Sequence, residues 1–349
     1  MTYTVIFGRE ARERISAYAQ SIASGAAVPG KYLQEQLGPG GIADGLKLLE
    51  TLLQTKRPQI FAESAVAGDG RDWSDIELSI LGDISIATPV AIYDDGQHHH
   101  PLIHESPFRG TLIFVCGALL RNDIGVSTPD FREVVTGRTI DPVAFTELYR
   151  RRLRPVFHYI QHSAKSRQRA AIVTIPGLGC GQFAGPFRGC LGSQLQQSLC
   201  TILTGEVAQL PNIRLVRFDA FDEGEDDAVN IGTLIFRSRP LRRSTHPLPQ
   251  LCHPTTYEED IEEFGQCDLY SLVAWDPVSW PGNDFYIGSR ATDDGVKAAA
   301  TSSMNVMTGI EGAYDPRRTQ YLPPHPYRTW LDVVRYEEVT LRICDPFTV

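Results

Sequence analysis

Three short apolar segments, separated by two helical patterns, constrain the fold of this chain more than any other feature. The segments Thr111–Cys116, Ala170–Ile175 and Ile213–Phe218 have the length and composition of fully buried strands. Between them, residues 142–153 and 191–202 carry apolar side chains at helical spacing. Strands that alternate with helices in this way predict a parallel sheet with crossover helices, and therefore an α/β fold.

The region before these segments has a different pattern. Residues 1–57 have helical periodicity that ends at Pro58, and a strand-like stretch, Ile76–Ile80, follows in a mixed region. We therefore predict two parts. A mostly helical accessory region covers residues 1–105, and the α/β domain covers residues 106–349.

Further elements are predicted around and after the three segments. Pro155 is expected to kink or interrupt its helix. Residues 223–260 are charged and contain prolines, which is typical of an elaborated connection. Leu269–Trp275 is predicted to be another buried strand, residues 294–307 a helix, and residues 336–343 a closing strand.

Composition excludes several classes of protein. The chain has 33 Lys and Arg against 42 Asp and Glu, and this net charge of −9 disfavours binding to nucleic acid. No apolar run approaches the roughly 20 residues that a membrane span needs, and the N-terminus lacks a secretory pattern. Seven cysteines without a CxxC pair indicate free thiols. We expect a cytoplasmic protein, or one delivered into a host cytosol, with no membrane partner.

A glycine-rich segment, here called the glycine loop (Gly177–Gly185), directly follows the second apolar strand and precedes a helix. Its glycines allow backbone N–H groups and the helix N-terminus to face an anion. No GK[ST] follows, which excludes a P-loop. Gly179, Gly181 and Ala184 fit the GxGxxA pattern of dinucleotide-binding proteins, although no acidic residue follows at the ribose distance. The segment is either an anion-binding loop or a tight strand-to-helix turn.

A second segment, here called the acid loop (Asp276–Gly295), concentrates carboxylates after the next predicted strand. Asp276 ends the strand, Asp284 lies within the loop, and Asp293 and Asp294 stand where a helix begins. Carboxylates that converge at the carboxyl end of a strand suit a binding crevice, and such groups can divide acid, base and cation-stabilising roles. Taken singly, each aspartate also has an ordinary interpretation as a strand end, an Asx turn or an N-cap.

Two other groups of residues are weaker candidates for a functional site. His98, His99, His100 and His104 are potential metal ligands, but no predicted element fixes their geometry, which favours a polar surface loop. Cys180 is a potential nucleophile, but no histidine partner is indicated, which favours a packing role. We predict neither a metal nor a cofactor.

The two loops together resemble those of macrodomains, the ADP-ribose-binding fold. AIVTIPGLGCGQFAGP (171–186) resembles the diphosphate-binding loop, and IRLVRFDAF (213–221) resembles the strand that follows it. SLVAWDP (271–277) with TDDGVKAAATSSM (292–304) resembles the first ligand loop, which opens a helix at the ribose. In this chain, the segment that resembles the first half of the macrodomain fold therefore comes after the segment that resembles the second half. The order is similar to that of poly(ADP-ribose) glycohydrolases, whose glycine triplet and Gln-Glu-Glu signature are absent.

Within the macrodomains, the chain is similar to the MavL-type family of ADP-ribosylhydrolases, which is typified by a bacterial effector. The spacing of Asp276, Asp284 and Asp294 looks like that of the family's three functional aspartates, and the resemblance covers about residues 109–345. It implies a mixed sheet sandwiched between helices. It also implies removal of ADP-ribose from modified arginine, notably on ubiquitin. The departures from the macrodomain pattern are Ala274-Trp275-Asp276-Pro277 in place of Asn-Ala-Ala-Asn, and Asp293-Asp294-Gly295 in place of a glycine triplet.

The resemblance implies a role for each candidate residue. The N-glycosidic bond between the distal ribose and arginine would be cleaved through an oxocarbenium-like transition state. Asp284 and Asp294, in either order, would stabilise this cation and orient or deprotonate the water, and Asp276 would bind the arginine side chain or support the other two. Phe183 would contact the distal ribose, and the adenine side would be contacted by Phe218 and by Asp260. The implied ADP-ribose contacts are Gly177, Gly179, Cys180, Gly181, Gln182, Phe183, Ala184, Gly185, Phe218, Asp260, Asn283 and Asp293.

Several other functions share these features. An ADP-ribose-binding reader would use the glycine loop without needing several acids. A poly(ADP-ribose) or O-acetyl-ADP-ribose hydrolase would share the fold and release different products. An NAD(P) oxidoreductase is supported by the GxGxxA match alone, and a structural α/β domain needs neither loop for chemistry. The expected partner is ADP-ribose on a modified protein, with ubiquitin as one candidate.

Overall fold

The structure, a computed structural model, describes residues 2–38, 42, 44–62, 72–121, 127–259, 262–343 and 346–349. Its strands are β1 (Thr4–Phe7), β2 (Ser85–Asp94), β3 (Ile103–Cys116), β4 (Val135–Thr136), β5 (Thr139–Ile140), β6 (Ala170–Pro176), β7 (Ile213–Asp219), β8 (Asp227–Ile231), β9 (Leu234–Ser238), β10 (Cys267–Trp275), β11 (Ala313–Asp315), β12 (Gln320–Leu322) and β13 (Pro346–Thr348). Its α-helices are α1 (Arg9–Ala23), α2 (Lys31–Gln36), α3 (Gly45–Thr55), α4 (Asp75–Gly82), α5 (Pro129–Val134), α6 (Pro142–Ser166), α7 (Leu191–Glu206), α8 (Asp293–Ala299), α9 (Ser303–Thr308) and α10 (Trp330–Tyr336). Short 3-10 helices cover Gln182–Phe187, Val207–Gln209, Pro254–Tyr257 and Asn283–Ile287.

One large mixed sheet organises these elements, in the strand order β13-β1-β2-β3-β10-β6-β7-β9-β8. Strands β3, β10, β6, β7 and β9 are parallel, whereas β2 and β8 pair antiparallel to their neighbours. Strand β10 comes last of the parallel strands along the chain, yet it pairs between β3 and β6. The loop that follows β10 therefore lies at the carboxyl edge of the sheet, between the loops that follow β3 and β6.

Helices cover both faces of this sheet, as the macrodomain resemblance implies. Strand β3 alternates between the two cores, because Phe114 packs with the N-terminal helices and Val115 packs with α6 and α7. Asp141 starts α6 as an N-cap that accepts hydrogen bonds from the N–H groups of Val143 and Ala144. The prediction that Pro155 interrupts this helix was wrong, since α6 continues through it to Ser166 and buries the proline ring.

The predicted boundary near residue 105 needs correction. It falls inside β3, and β1 and β2 of the N-terminal region join the same sheet. Among the described residues of this region, four α-helices, α1 to α4, are found. The stretch Ile76–Ile80 belongs to α4 and is not a strand, because Ser74 and Glu77 form a capping box that starts a helix. The N-terminal region is therefore part of the main sheet and not a separate helical unit.

Three predictions downstream also change. The connection 223–260 contains the hairpin β8–β9, and the predicted helix 294–307 consists of two helices, α8 and α9. The predicted strand 336–343 was wrong, because the capping box at Thr329 and Asp332 starts α10, which ends at Tyr336. The sheet edge is formed instead by β13, which pairs with β1. Among the described helices, none combines the length and apolar character that a membrane span requires.

Candidate active site

The acid loop and the glycine loop lie side by side at the carboxyl edge of the sheet. The acid loop follows β10 and the glycine loop follows β6, and these two strands pair in parallel, with Ser271 opposite Thr174. Ligands of open α/β sheets bind in crevices outside the carboxyl ends of the strands. The two sequence motifs are thus brought to one potential ligand site.

Asp276 turns the chain immediately after β10. Its Oδ1 accepts hydrogen bonds from the N–H groups of Val278 at 2.8 Å and Ser279 at 2.7 Å. The side chain is buried, and burial raises its pKa, while these donors and the nearby Lys56 ammonium act in the opposite direction. The carboxyl group is therefore fixed in place by the backbone of its own loop.

Asp294 reaches back across the acid loop from the first turn of α8. Its carboxylate accepts hydrogen bonds from the N–H groups of Gly282 at 2.6 Å and Asn283 at 3.2 Å. Burial raises the pKa of Asp294 well above its usual value, and the negative charges of Asp284, Asp276 and Asp293 act in the same direction. This carboxyl group therefore has an increased affinity for a proton.

Asp284 lies in the 3-10 helix of the acid loop, Asn283–Ile287. It accepts hydrogen bonds from the N–H groups of Ala291 at 3.0 Å and Thr292 at 3.2 Å, and from the Thr292 hydroxyl at 2.7 Å. Gly295 leaves the space that this carboxylate occupies, because a Cβ built at Gly295 would lie 1.9 Å from Asp284 Oδ1. The position of the carboxylate is thus set by three donors and one glycine.

Asp293 has a different environment from the three buried aspartates. Its Oδ2 accepts hydrogen bonds from Ala274 N at 2.8 Å and from the Lys297 ammonium at 3.0 Å. The N-cap of α8 is Thr292, which accepts from Gly295 N at 3.1 Å, so neither Asp293 nor Asp294 has the N-cap role. Asp293 instead ties the start of α8 to the end of β10.

Buried polar atoms without partners cluster around the acid loop. Asn283 donates through Nδ2 to Ile60 O at 2.6 Å. Within the described ranges, Asn283 Oδ1, Tyr286 Oη and Trp275 Nε1 are buried and make no hydrogen bond. Orphaned buried polar atoms are uncommon in proteins and often mark a site for water or a ligand.

The glycine loop packs closely on the loop that follows β3. Gly179 has a left-handed φ of +76°, and a Cβ there would lie 2.8 Å from Ala118 N. Tyr149 fixes the loop from α6 by donating to Leu178 O at 2.6 Å. Gly181 is exposed and has open space around it. No hydrogen bond to the N–H groups of Gly179, Gly181 or Gln182 is found in the described part of the chain, so these donors can meet an anion.

The other predicted residues of the glycine loop have varied environments. Cys180 is buried, and burial raises the pKa of its thiol, which disfavours a thiolate nucleophile. Gln182 is exposed and accepts from Arg121 at 3.4 Å, and Phe183 is half-buried against the core. The remaining members are Gly177, which is half-buried, Ala184, which is fully buried, and Gly185, which has a left-handed φ of +53°.

The N-terminus of α7, which follows the glycine loop, already holds an anion of the protein itself. The Glu223 carboxylate accepts hydrogen bonds from Gly189 N at 2.9 Å and from Gly192 N at 2.5 Å. The expectation that this helix end faces the ligand is therefore corrected. The N–H groups of the glycine loop are the available donors.

Phe221 is an aromatic residue that the sequence patterns did not single out. The predicted aromatic residue, Phe218, is fully buried in the core at the end of β7, whereas Phe221 is 47% exposed beyond that end. Phe221 has a left-handed φ of +64°, and the Arg242 guanidinium lies 4.5 Å from the centroid of its ring. A non-glycine residue with φ > 0 next to a ligand crevice is the signal that identifies it. Asp260 lies outside the described residues.

The predicted histidines contribute no metal site in the part of the chain that the structure describes. There, no three His, Cys, Asp or Glu side chains are arranged to hold a metal ion. His98, His99 and His100 are exposed, and the Nε2 atom of His104 lies within hydrogen-bond distance, 2.9 Å, of Leu251 O.

Comparison with known proteins places the chain in a family. A family model described as "Macrodomain effector MavL" matches residues 3–327. The match includes the N-terminal hundred residues, which the loop motifs alone did not cover. No curated protein matches the chain.

Proposed function

The chain belongs to the MavL macrodomain effector family, and on this premise we propose that it hydrolyses the N-glycosidic bond between ADP-ribose and an arginine side chain of a modified protein. Macrodomain membership implies binding of ADP-ribose. The arginine linkage and the hydrolysis are the parts that we propose. Ubiquitin is the first carrier protein to test.

One observation carries this proposal: three buried aspartates occupy the acid loop, directly beside the glycine loop. A carboxylate removed from water is costly unless it is compensated. All three aspartates of the acid loop, Asp276, Asp284 and Asp294, are buried, and their negative charges repel one another. A protein that only binds ADP-ribose gains nothing from such an arrangement. A hydrolase gains stabilisation of a cationic transition state.

The proposed chemistry divides the work between two of the aspartates. The bond from the anomeric carbon to the guanidine nitrogen breaks, and the ribose ring develops oxocarbenium character that the Asp284 carboxylate stabilises. Water adds its oxygen to the anomeric carbon and passes a proton to Asp294, whose pKa is raised by burial, so that this carboxylate has an increased affinity for the proton. The departing guanidine takes a proton from solvent, which completes the hydrolysis.

Arginine is favoured as the linkage because of charge. The substrate guanidinium is a cation with several N–H donors, and buried carboxylates recognise such a group through charge-assisted hydrogen bonds. Asp276 and the unpartnered oxygen of Asn283 both lie in the acid loop and can accept from it. An ester linkage to glutamate or an O-glycosidic linkage to serine would offer no positive charge to this site.

The proposal is tested with ubiquitin carrying ADP-ribose on arginine. We expect the purified protein to release free ADP-ribose and to return ubiquitin to its unmodified intact mass. Proteins modified on serine or glutamate are the comparison substrates, and we expect no release from them. If free ADP-ribose binds in calorimetry but no linkage is cleaved, the protein is a reader. Release from an ester alone would contradict the arginine assignment.

Two contacts with ADP-ribose are tested by calorimetry. Gly181→Ala adds a methyl group where the diphosphate would lie, and Phe221→Leu removes the ring on which the adenine would stack. Base stacking on an aromatic ring contributes about 1–3 kcal/mol, and loss of the Phe221 ring removes this contribution. The added methyl group at Gly181 would instead meet the diphosphate. We expect the Kd of ADP-ribose to rise about tenfold or more in each variant. Gly181 has no neighbour within 4 Å, so its melting temperature should stay unchanged. Leu102→Ala, at an exposed position before β3, is the control. Unchanged affinity in both variants would contradict this binding mode.

A further inference from the structure

Lys56 is a buried cation that comes from the N-terminal region and contacts the acid loop. It follows α3 and is 1% exposed. Its ammonium donates to Pro277 O at 2.6 Å, and it lies 3.9 Å from the centroid of the Trp275 ring. These contacts place the charge beneath the turn that begins at Asp276.

The backbone around Lys56 pairs with the same turn. Arg57 N donates to Val278 O at 2.9 Å, and Trp280 N donates to Arg57 O at 3.0 Å. The Trp280 indole donates to Lys56 O at 3.0 Å. With the bond from Asn283 to Ile60 O, the segment 56–60 lies along the first half of the acid loop. The N-terminal region therefore forms part of the wall of the site.

The charges around Lys56 favour an electrostatic role in addition to packing. Burial lowers the pKa of Lys56 to about 8, while the negative charges of Asp276 and Asp294 act in the opposite direction. Reciprocally, Lys56 lowers the pKa of Asp276 against the effect of burial. Cys116 also faces Lys56, but burial raises its thiol pKa to about 12, so Cys116 stays neutral near pH 7. The charges of Arg152 and Asp130 also act on the Cys116 thiol, and they do so in opposite directions.

We propose that Lys56 is a positioning residue of the hydrolytic site, whose ammonium fixes the first half of the acid loop and supplies the positive charge beside the Asp276 carboxyl group. The catalytic consequence of this inference rests on the proposed function. The electrostatic coupling of Lys56 to Asp276 does not. The N-terminal region thereby completes the active site, which agrees with a family match that begins at residue 3.

Three variants of the full chain test this inference. Lys56→Met keeps the aliphatic stem over Trp275 and removes the charge, whereas Lys56→Arg keeps the charge. Lys47→Met makes the same exchange at an exposed position of α3 and is the matched control. Two readouts are compared. The first is the carboxyl carbon-13 NMR titration of Asp276, assigned with Asp276→Asn, and the second is the pH profile of ADP-ribose release from arginine-modified ubiquitin.

We expect Lys56→Met to raise the pKa of Asp276 by about one unit or more, since an opposite charge at close range lowers a carboxyl pKa by about 1–3 units. The acid limb of the pH–rate profile should move upward by the same amount. Lys56→Arg should restore both readouts, and Lys47→Met should change neither. If Lys56→Met lowers only the melting temperature and leaves the titration of Asp276 unchanged, the inference is wrong. If the titration moves but the wild type releases no ADP-ribose, the proposed function fails and the coupling stands.

Discussion

Replacing Asp284 or Asp294 with Asn is expected to lower the rate of ADP-ribose release from arginine by about 10³-fold, within the range of 10²–10⁴ for a positioned general acid or base. Asn keeps one acceptor oxygen, so much of the hydrogen bonding of the acid loop survives. Asn carries no negative charge, so it neither stabilises a cationic ribose nor accepts the proton that the attacking water loses. A loss of rate without unfolding would separate the chemical role of these carboxylates from their structural role.

The effect of Asp294→Asn on stability should depend on pH with a definite sign. The pKa of Asp294 is raised in the folded protein above the usual 3.8. The folded state therefore binds more protons than the unfolded state between these two values, and wild-type stability falls as pH rises through this window, by at most about 1.4 kcal/mol per pH unit. Asn removes this penalty and loses one hydrogen bond to Asn283 N, which costs about 1 kcal/mol. Relative to wild type, the variant should therefore become more stable as pH rises from the usual carboxyl pKa of 3.8 through the raised pKa of Asp294.

These expectations are measured by the release assay with arginine-modified ubiquitin and by chemical denaturation at several pH values. Asp315→Asn is a suitable control, because Asp315 belongs to the hairpin β11–β12 and its carboxylate accepts a hydrogen bond from Arg317 N of the same hairpin. It should leave both the rate and the pH dependence of stability unchanged. Full activity of both Asp284→Asn and Asp294→Asn would contradict the proposed mechanism. A free energy of unfolding of Asp294→Asn that falls relative to that of wild type as pH rises would contradict the buried, proton-binding carboxyl.

The strands and the two loops could be predicted because their signals are local. Ala170–Ile175 is apolar throughout, and the glycines that follow it require a turn whatever the rest of the chain does. The parallel order of the strands then brings the acid loop beside the glycine loop. The contact between Lys56 and Pro277 could not be predicted in this way, because the two residues are 221 positions apart. The sequence around a buried lysine at the end of a helix contains no pattern that predicts which remote residue the lysine contacts.

The placement of aromatic residues shows the same limit. Phe218 and Phe221 lie three positions apart near the end of β7, and the strand pattern alone does not predict which ring faces solvent. The structure buries Phe218 in the core and exposes Phe221 through a left-handed φ, which hydrophobic periodicity cannot report. Backbone conformation at the end of a strand, more than residue type, decides which side chain reaches the crevice.

Gly295→Ala is expected to remove most of the hydrolytic activity and to destabilise the fold, although Ala is the better helix former. At a free helical position, alanine stabilises by up to about 1 kcal/mol over glycine. Gly295 is not free, because its Cβ would lie 1.9 Å from Asp284 Oδ1 and 2.8 Å from Ser289 O. Either the carboxylate leaves its donors or the first turn of α8 shifts. Overpacking of this kind costs about 1–3 kcal/mol, so the steric effect exceeds the gain in helix propensity.

Gly205→Ala provides the matched comparison for Gly295→Ala. Gly205 lies in α7, and a Cβ built there has no neighbour within 4 Å. It should raise stability slightly and leave release of ADP-ribose unchanged. Thermal denaturation shows whether each variant is more or less stable than wild type, and the release assay measures the activity of each. If Gly295→Ala behaved like Gly205→Ala, Asp284 would not occupy the position that its hydrogen bonds assign. If it lost activity and bound ADP-ribose normally, then displacement of one carboxylate, and not loss of the ligand, would account for the inactive enzyme.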